Sequence, residues 1–90
     1  MPVLKFTRNL ERFYPGLSPV ESSKTSLQEI INEANDIYPG IKDYILDEQS
    51  RLRKHIHIFI GNQMIHDRNH LPDNLNPDDE VYIMQALSGG

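Results

Sequence analysis

The positions of apolar side chains along the chain predict one long helix. Apolar residues recur at helical spacing at Leu27, Ile30, Ile31, Ala34 and Ile37. Polar residues take the opposite face of the same segment. Thr25 is the predicted N-cap, because Gln28 three residues later completes a capping-box pattern. The Pro39-Gly40 pair is expected to end the helix, since neither residue favours its continuation.

Alternation of apolar and polar residues predicts strands on both sides of this helix. The predicted strands cover residues 3–7, 18–22, 55–60, 63–66 and 81–85. Residues 41–46 are expected to add one helical turn against the core, and Leu71 and Leu75 to hold the irregular connection before the last strand. The element order is therefore ββαβββ. One helix laid across one face of a mixed sheet is the economical way to bury these apolar stripes.

Composition narrows the function of such a domain. The chain has 90 residues, 38% of them hydrophobic and 24% charged, as expected of one globular domain. No apolar run is long enough to span a bilayer and no leader is apparent, so we expect a cytoplasmic protein without membrane contact. The absence of cysteine excludes disulfides, thiolate metal sites and cysteine nucleophiles. A net charge of −4 argues against a general nucleic-acid binder.

Two glycines follow the last predicted strand and end the sequence. Gly89 and Gly90 add no side-chain packing and cost conformational entropy to order. They do provide a narrow tip that carries a free carboxylate and fits a confined channel. The Gly90 carboxylate is therefore the candidate reactive group. The plain alternative is that small terminal residues simply reflect a frayed chain end.

This order of elements, running into Gly89-Gly90, resembles that of the ubiquitin-like β-grasp sulfur carriers. They include the small subunit of molybdopterin synthase, the thiamine-pathway carrier and a carrier dedicated to cysteine biosynthesis. The likeness includes the helix exit at residues 38–41, the Asn62 turn and the approach to the tail at residues 78–81. Residues 86–90 fit the Ala-x-x-Gly-Gly ending of the cysteine-biosynthesis type best. The resemblance implies an α+β ubiquitin-like β-grasp domain over residues 1–86, with one long helix across a mixed sheet, and a flexible tail over residues 87–90.

The resemblance also implies a chemistry. In such carriers a ubiquitin-activating-type adenylyltransferase uses ATP to turn the terminal carboxylate, here that of Gly90, into an acyl-adenylate. A sulfur donor then displaces AMP and leaves a thiocarboxylate for a sulfur-accepting synthase. Ala86, Leu87, Ser88 and Gly89 would form the tail. The chain would then be a co-substrate with no catalytic residue and no permanently bound cofactor. A modifier joined to lysine through Gly90 and a binding module with an inert tail are the alternatives.

The outer face of the predicted sheet carries a candidate docking patch. Since alternate residues of a strand face opposite sides, Tyr82 and Met84 point outward if Val81 and Ile83 face the core. Phe59 should lie beside them on a neighbouring strand. An exposed cluster of Phe, Tyr and Met is typical of a protein-binding surface. The alternative is that the loop before that strand, or the N-terminal loop, covers the patch.

Two polar clusters have both a functional and a plain interpretation. His55 and His57 share one face of a predicted strand with His66 across the hairpin, a spacing that can bind zinc or copper. No cysteine or well-placed carboxylate completes a ligand set, so we predict a solvated strand face and no metal. The basic run at residues 51–54 is either solvated or pairs with an acidic partner surface.

Overall fold

The computed structural model describes residues 1–12 and 14–85, and in this part of the chain five strands form one mixed sheet. The strands are β1 (Val3–Phe6), β2 (Val20–Glu21), β3 (Ile56–Ile60), β4 (Gln63–Met64) and β5 (Glu80–Gln85). Their spatial order is β2-β1-β5-β3-β4. The last strand, β5, therefore lies at the centre, parallel to β1 and antiparallel to β3.

Three helices complete the described part of the chain and share one apolar core with the sheet. They are α1 (Arg8–Glu11), α2 (Leu27–Ile37) and α3 (Ile41–Ile45). The predicted long helix beside a mixed sheet is thus confirmed, and so is the extra turn that follows it. Leu71 and Leu75 are buried as predicted and hold the connection between β4 and β5 against the core. No helix within the described ranges has the length and apolar character needed to cross a membrane.

Helix α2 begins one residue later than the sequence pattern indicated. Ser26, not Thr25, is the N-cap, and its hydroxyl oxygen accepts the backbone N–H of Glu29 at 3.2 Å. The Ser26 hydroxyl also donates to the Glu29 carboxylate at 3.0 Å. Ser26 and Glu29 are spaced three residues apart, like the predicted pair of Thr25 and Gln28, so the sequence contains two overlapping patterns. The Thr25 carbonyl instead accepts the N–H of Leu75 at 2.8 Å.

The end of α2 corrects a second prediction. Ile37 is 51% exposed, although its spacing placed it on the core face. Tyr38 takes the inward position and packs edge-on against Phe6 and Tyr14, each with a ring-centroid distance of 6.4 Å. Gly40 then turns the chain with φ = 93°, a left-handed conformation that glycine adopts without steric cost. The helix therefore ends at the Pro39-Gly40 pair, as predicted.

A cap substitution tests the corrected helix start. Ser26→Ala removes the oxygen that satisfies the Glu29 N–H, and we expect it to lower the free energy of unfolding by about 1 kcal/mol. Thr25→Ala is the matched control and should change stability much less, since Thr25 is exposed and does not cap the helix. Urea denaturation of both variants measures the difference. A larger loss for Thr25→Ala would restore the original assignment of the cap.

The short helix α1 and the brevity of β2 were not predicted. The sequence pattern predicts no helix between the strands at residues 3–7 and 18–22, yet Arg8–Glu11 makes one helical turn that buries Leu10 completely. A single turn contains too few residues for helical periodicity to appear in the sequence. β2 keeps only Val20–Glu21 of the strand predicted at residues 18–22. Pro19 precedes it and has no backbone N–H to extend the ladder.

Candidate docking face and tail exit

Strand pairing places a row of large side chains across the outer face of the sheet. Tyr82 on β5 pairs with Lys5 on β1 and with Phe59 on β3. Phe59 in turn pairs with Met64 on β4. Because neighbouring strands lie about 4.8 Å apart, the side chains of this row are in mutual reach. We call Phe59, Met64, Tyr82 and Met84 the outer patch.

The predicted orientation of β5 is confirmed. Val81 and Ile83 are fully buried, whereas Tyr82 and Met84 are 36% and 37% exposed. Within the described part of the chain, neither the loop before β3 nor the N-terminal loop covers these two side chains. Met64, which is 48% exposed, was missed as a member of the patch. A two-residue turn at residues 61–62 places Met64 opposite Phe59. The register of this hairpin could therefore have predicted that Met64 belongs to the patch. The docking role of Phe59, Tyr82 and Met84 stays a prediction.

Polar groups and a groove border the outer patch on the β1 side. The Lys5 ammonium contacts the Glu80 carboxylate at 2.6 Å across the β1–β5 pair. Both side chains are substantially exposed, so the pair contributes little to stability. A groove of about 250 Å³ runs beside Tyr82, between Lys5 and the segment Leu17 to Pro19. The patch therefore has the apolar centre and polar rim that protein interfaces share.

Hydrogen bonds fix the end of β5, which residues 86–90 follow in the sequence. The Gln85 N–H donates to the Thr7 hydroxyl at 3.3 Å, and the Thr7 N–H donates to the Ile83 carbonyl at 3.1 Å. On the other side Gln85 pairs with Ile56 of β3. The Arg68 guanidinium donates to the Ile56 carbonyl at 2.9 Å and supports the start of β3. Gln85, the last residue of β5, is thus held from the sides of both neighbouring strands.

The tail residues themselves lie outside the described residues. They are Ala86, Leu87, Ser88, Gly89 and Gly90. The predicted boundary between residues 86 and 87 falls there too. The structure describes the chain as far as Gln85, so the boundary of the tail and the roles of these five residues stay predictions. The contacts of Thr7 and Arg68 at the end of β5 were not predicted, because they join segments far apart in sequence.

The three histidines considered as metal ligands have separate surroundings. His57 lies on β3 opposite Met84, with its Nδ1 atom 3.4 Å from an Arg68 nitrogen. His55 and His66 are exposed and lie outside the strands. Across residues 1–12 and 14–85, no three His, Cys, Asp or Glu side chains come together in a way that could hold a metal ion.

Solved structures with the same architecture show which fold this is. A chain of the BexX/CysO complex from Amycolatopsis orientalis superposes with a TM-score of 0.83 at 20% identity, covering 100% of both chains. CysO from Mycobacterium tuberculosis gives a TM-score of 0.80 at 20% identity, covering 97% of this chain and 100% of its own. Small archaeal modifier protein 1 from Methanosarcina acetivorans gives 0.76 at 27% identity, covering 99% and 95%. The fold is the ubiquitin-like β-grasp, as predicted.

The family follows from the sequence itself. Residues 5–90 match the model of the ThiS family, and the chain belongs to this family. The match extends through Gly89 and Gly90. Comparison with curated protein sequences gives no match. The predicted membership in the ubiquitin-like β-grasp sulfur carriers is thereby confirmed, and the chain is a ubiquitin-like protein of the sulfur-carrier or modifier type.

Proposed function

We propose that this protein is a sulfur carrier whose Gly90 carboxylate is adenylated and then converted to a thiocarboxylate. A ubiquitin-activating-type adenylyltransferase would bind the domain and use ATP to activate it. A sulfur-accepting synthase of a cysteine, molybdopterin or thiamine type of pathway would then take the sulfur. The chain acts here as a co-substrate, and the catalytic groups belong to its partners.

The observation that carries this proposal is the family match through the C-terminal glycines, together with a central last strand that leads to them. A carboxylate is a poor electrophile until one of its oxygens becomes part of a good leaving group. Adenylation supplies that leaving group, and a sulfur nucleophile can then displace AMP. The domain needs to provide only a recognisable surface and a reachable terminus. Both requirements fit an outer patch that includes Tyr82 and Met84 of β5, the strand that precedes the tail in sequence.

A modifier is the second candidate function. Small archaeal modifier protein 1 from Methanosarcina acetivorans shares 27% identity over almost the entire chain. In this case a lysine amine, not a sulfur donor, would attack the activated Gly90 and form an isopeptide bond. Both functions need the same adenylate, so they differ only in the nucleophile.

One incubation separates the two functions. The protein is mixed with its adenylyltransferase, ATP, a sulfide source and a lysine-containing acceptor protein, and the products are analysed by intact mass. A carrier gains the mass difference between sulfur and oxygen. A modifier instead appears attached to the acceptor. If neither product forms although the adenylyltransferase binds the protein, the proposed function is wrong.

The outer patch is expected to bind the adenylyltransferase. Phe59→Ala or Met84→Ala removes apolar contact area from its centre, and each should weaken binding by about 1–2 kcal/mol, roughly a 5- to 30-fold increase in Kd. Titration calorimetry with the adenylyltransferase measures the effect. This prediction assumes that the domain presents one face of its sheet to the partner. The similar A. orientalis chain was solved in a BexX/CysO complex.

Ile37→Ala is the matched control for this prediction. Ile37 is a large apolar side chain that is 51% exposed on α2, away from the outer face of the sheet. Its truncation should leave the affinity for the adenylyltransferase unchanged. Equal effects of Ile37→Ala and Met84→Ala would show that loss of exposed apolar area, and not the location of the patch, governs binding.

A further inference from the structure

We propose that the end of the domain from which the tail leaves is a carboxylate-recognition surface for the acidic rim of the partner that receives Gly90. This inference rests on the proposed function and names the chemistry of a second contact, separate from the outer patch. It is carried by the positions of three cations around Gln85, by the hydrogen bonds that hold Arg53 in place and by a cavity beside it. We call Arg8, Arg53 and Lys54 the exit cations.

The order of the strands in the sheet brings the exit cations together, although they come from two distant segments of the sequence. Arg8 directly follows Thr7, whose hydroxyl accepts the Gln85 N–H. Arg53 and Lys54 lie shortly before Ile56, which pairs with Gln85. Because β1 is parallel and β3 antiparallel to β5, both segments meet at the end of β5. All three exit cations are exposed, and none takes part in the ion pairs formed within residues 1–12 and 14–85.

The exit end differs in charge from the rest of the molecule. The chain as a whole carries a net charge of −4. Asp78, Asp79 and Glu80 lie at the opposite end of β5, about 20 Å away along a strand of six residues. β5 thus runs from an end with three acidic residues to an end where the three exit cations outnumber the one acidic residue that lines the neighbouring cavity, Asp43. A partner that is complementary to the exit must therefore be acidic there, even though the domain as a whole repels anionic surfaces.

Hydrogen bonds hold Arg53 in place. Its Nε–H donates to the Asp43 carbonyl at 2.6 Å, and the residue as a whole is exposed to solvent. The Arg53 backbone is tied on both sides, since its N–H donates to the Ile45 carbonyl and its carbonyl accepts from Arg68 at 2.7 Å. A guanidinium positioned in this way can bind a carboxylate with two parallel hydrogen bonds and little loss of conformational freedom.

A cavity of about 340 Å³ lies beside this guanidinium and adjoins the exit of the tail. Its lining consists of Asp43, Tyr44, Arg53, His55, Ile56 and Gln85. The volume admits a whole acidic side chain, with the stem against Ile56 and the carboxylate near Arg53. The five residues 86–90 span at most about 17 Å when extended. A partner that holds Gly90 in its active site therefore brings the mouth of its channel close to this cavity.

A titration with a defined probe tests the surface without any partner protein. The ¹⁵N-labelled protein is titrated with a capped tetraglutamate peptide and, separately, with inorganic phosphate. We expect saturable shifts of the Arg53 Nε–H and of the Tyr44 and His55 amides with the peptide, and their loss in Arg53→Gln. Absence of shifts, or equal shifts at Arg51, would overturn the proposal. Stronger shifts with phosphate would overturn the assignment to carboxylates.

The chain's own C-terminus is the other conceivable occupant, and the same spectra decide it. A variant that lacks Gly89 and Gly90 is compared with the complete chain before any probe is added. We expect the Arg53 Nε–H resonance at the same position in both, because the proposed occupant belongs to the partner. A large displacement of this resonance in the shortened chain would assign the cavity to the tail and overturn the proposal.

Binding kinetics with the adenylyltransferase then give the functional consequence. Arg53→Gln should slow association about five- to tenfold at low salt and flatten its salt dependence. Arg53→Lys should recover only part of this loss, since it keeps the charge but not the forked geometry. Melting temperatures of all variants show whether loss of the Asp43 contact has disturbed the fold. Equal association rates for the wild type and Arg53→Gln would overturn the proposal.

Arg51→Gln is the control that removes the same charge two residues away. Arg51 is already engaged by Asp47, with 3.3 Å between its Nε and a carboxylate oxygen. The Arg51 N–H also donates to that carboxylate, and this bond is the largest cause of the lowered pKa of Asp47. We expect Arg51→Gln to change association less than about twofold. If the adenylyltransferase fails to bind even the wild type, the proposed function is wrong. The peptide titration still shows whether the surface around Arg53 binds carboxylates.

Discussion

Removal of Gly89 and Gly90 is expected to abolish adenylation completely while the domain melts at an unchanged temperature. The carboxylate that reacts would be moved two residues away from the partner's active site, and no other group in the chain replaces it. Addition of one alanine after Gly90 should have the same effect, because it displaces the carboxylate in the other direction. ATP–pyrophosphate exchange catalysed by the adenylyltransferase measures the loss.

The concentration of the adenylyltransferase distinguishes tail variants from patch variants. Phe59→Ala and Met84→Ala weaken binding but leave Gly90 chemically competent, so saturating enzyme should restore their exchange rate. The deletion should stay inactive at every concentration. Exchange by the shortened chain at a rate near that of the wild type would show that the tail is not the reacting group.

Ile30→Asp is expected to have the largest effect on stability. Ile30 is fully buried in the core-facing side of α2, and an aspartate there leaves a charge without a partner. The cost should be several kcal/mol, a large part of the roughly 5–15 kcal/mol that stabilises a typical domain. Chemical denaturation followed by circular dichroism measures it.

Asp36→Ala is the appropriate control on the exposed side of the same helix. Asp36 is exposed, so its removal should change the free energy of unfolding by less than about 0.5 kcal/mol. Glu29 is unsuitable for this purpose, because its carboxylate accepts a hydrogen bond from the Ser26 hydroxyl at the start of α2. Equal melting of Ile30→Asp and Asp36→Ala would contradict the observed orientation of the helix.

The sequence predicted those parts of the fold that repeat a pattern over many residues. The period of α2 identified all four of its buried positions and wrongly added Ile37, and the alternation along β5 placed Val81 and Ile83 inside and Tyr82 and Met84 outside. These patterns are informative because burial of one face imposes a period that a single sequence displays directly. Three of the four outer-patch residues, Phe59, Tyr82 and Met84, were predictable for the same reason, whereas Met64 was missed.

Features that depend on one residue or on long-range contacts were not predictable. The choice between Ser26 and Thr25 as the cap depends on a register of one residue, which two overlapping patterns left open. Ile37 and Tyr38 compete for one inward position, and the contacts of Tyr38 with Phe6 and Tyr14 decide it. These rings are distant in sequence, so no local pattern reports the outcome.

The exit cations also depend on contacts between distant segments, which the sequence alone does not show. The basic run at residues 51–54 was visible in the sequence, but its two interpretations could not be separated there. The sheet register brings Arg53 to the end of β5 and Arg8 to the other side of it. Within the basic run, Arg51 forms an ion pair with Asp47, whereas Arg53 takes part in none of the ion pairs of the described residues.

The location of sulfur on the chain tests the central claim most directly. The protein is incubated with its adenylyltransferase, ATP and sulfide, and the C-terminal peptide is isolated and fragmented in a mass spectrometer. We predict that the sulfur resides on Gly90, in place of one carboxylate oxygen, and that this product depends on ATP. An unmodified Gly90 carboxylate in every molecule, despite saturating adenylyltransferase that binds the outer patch, would contradict the account.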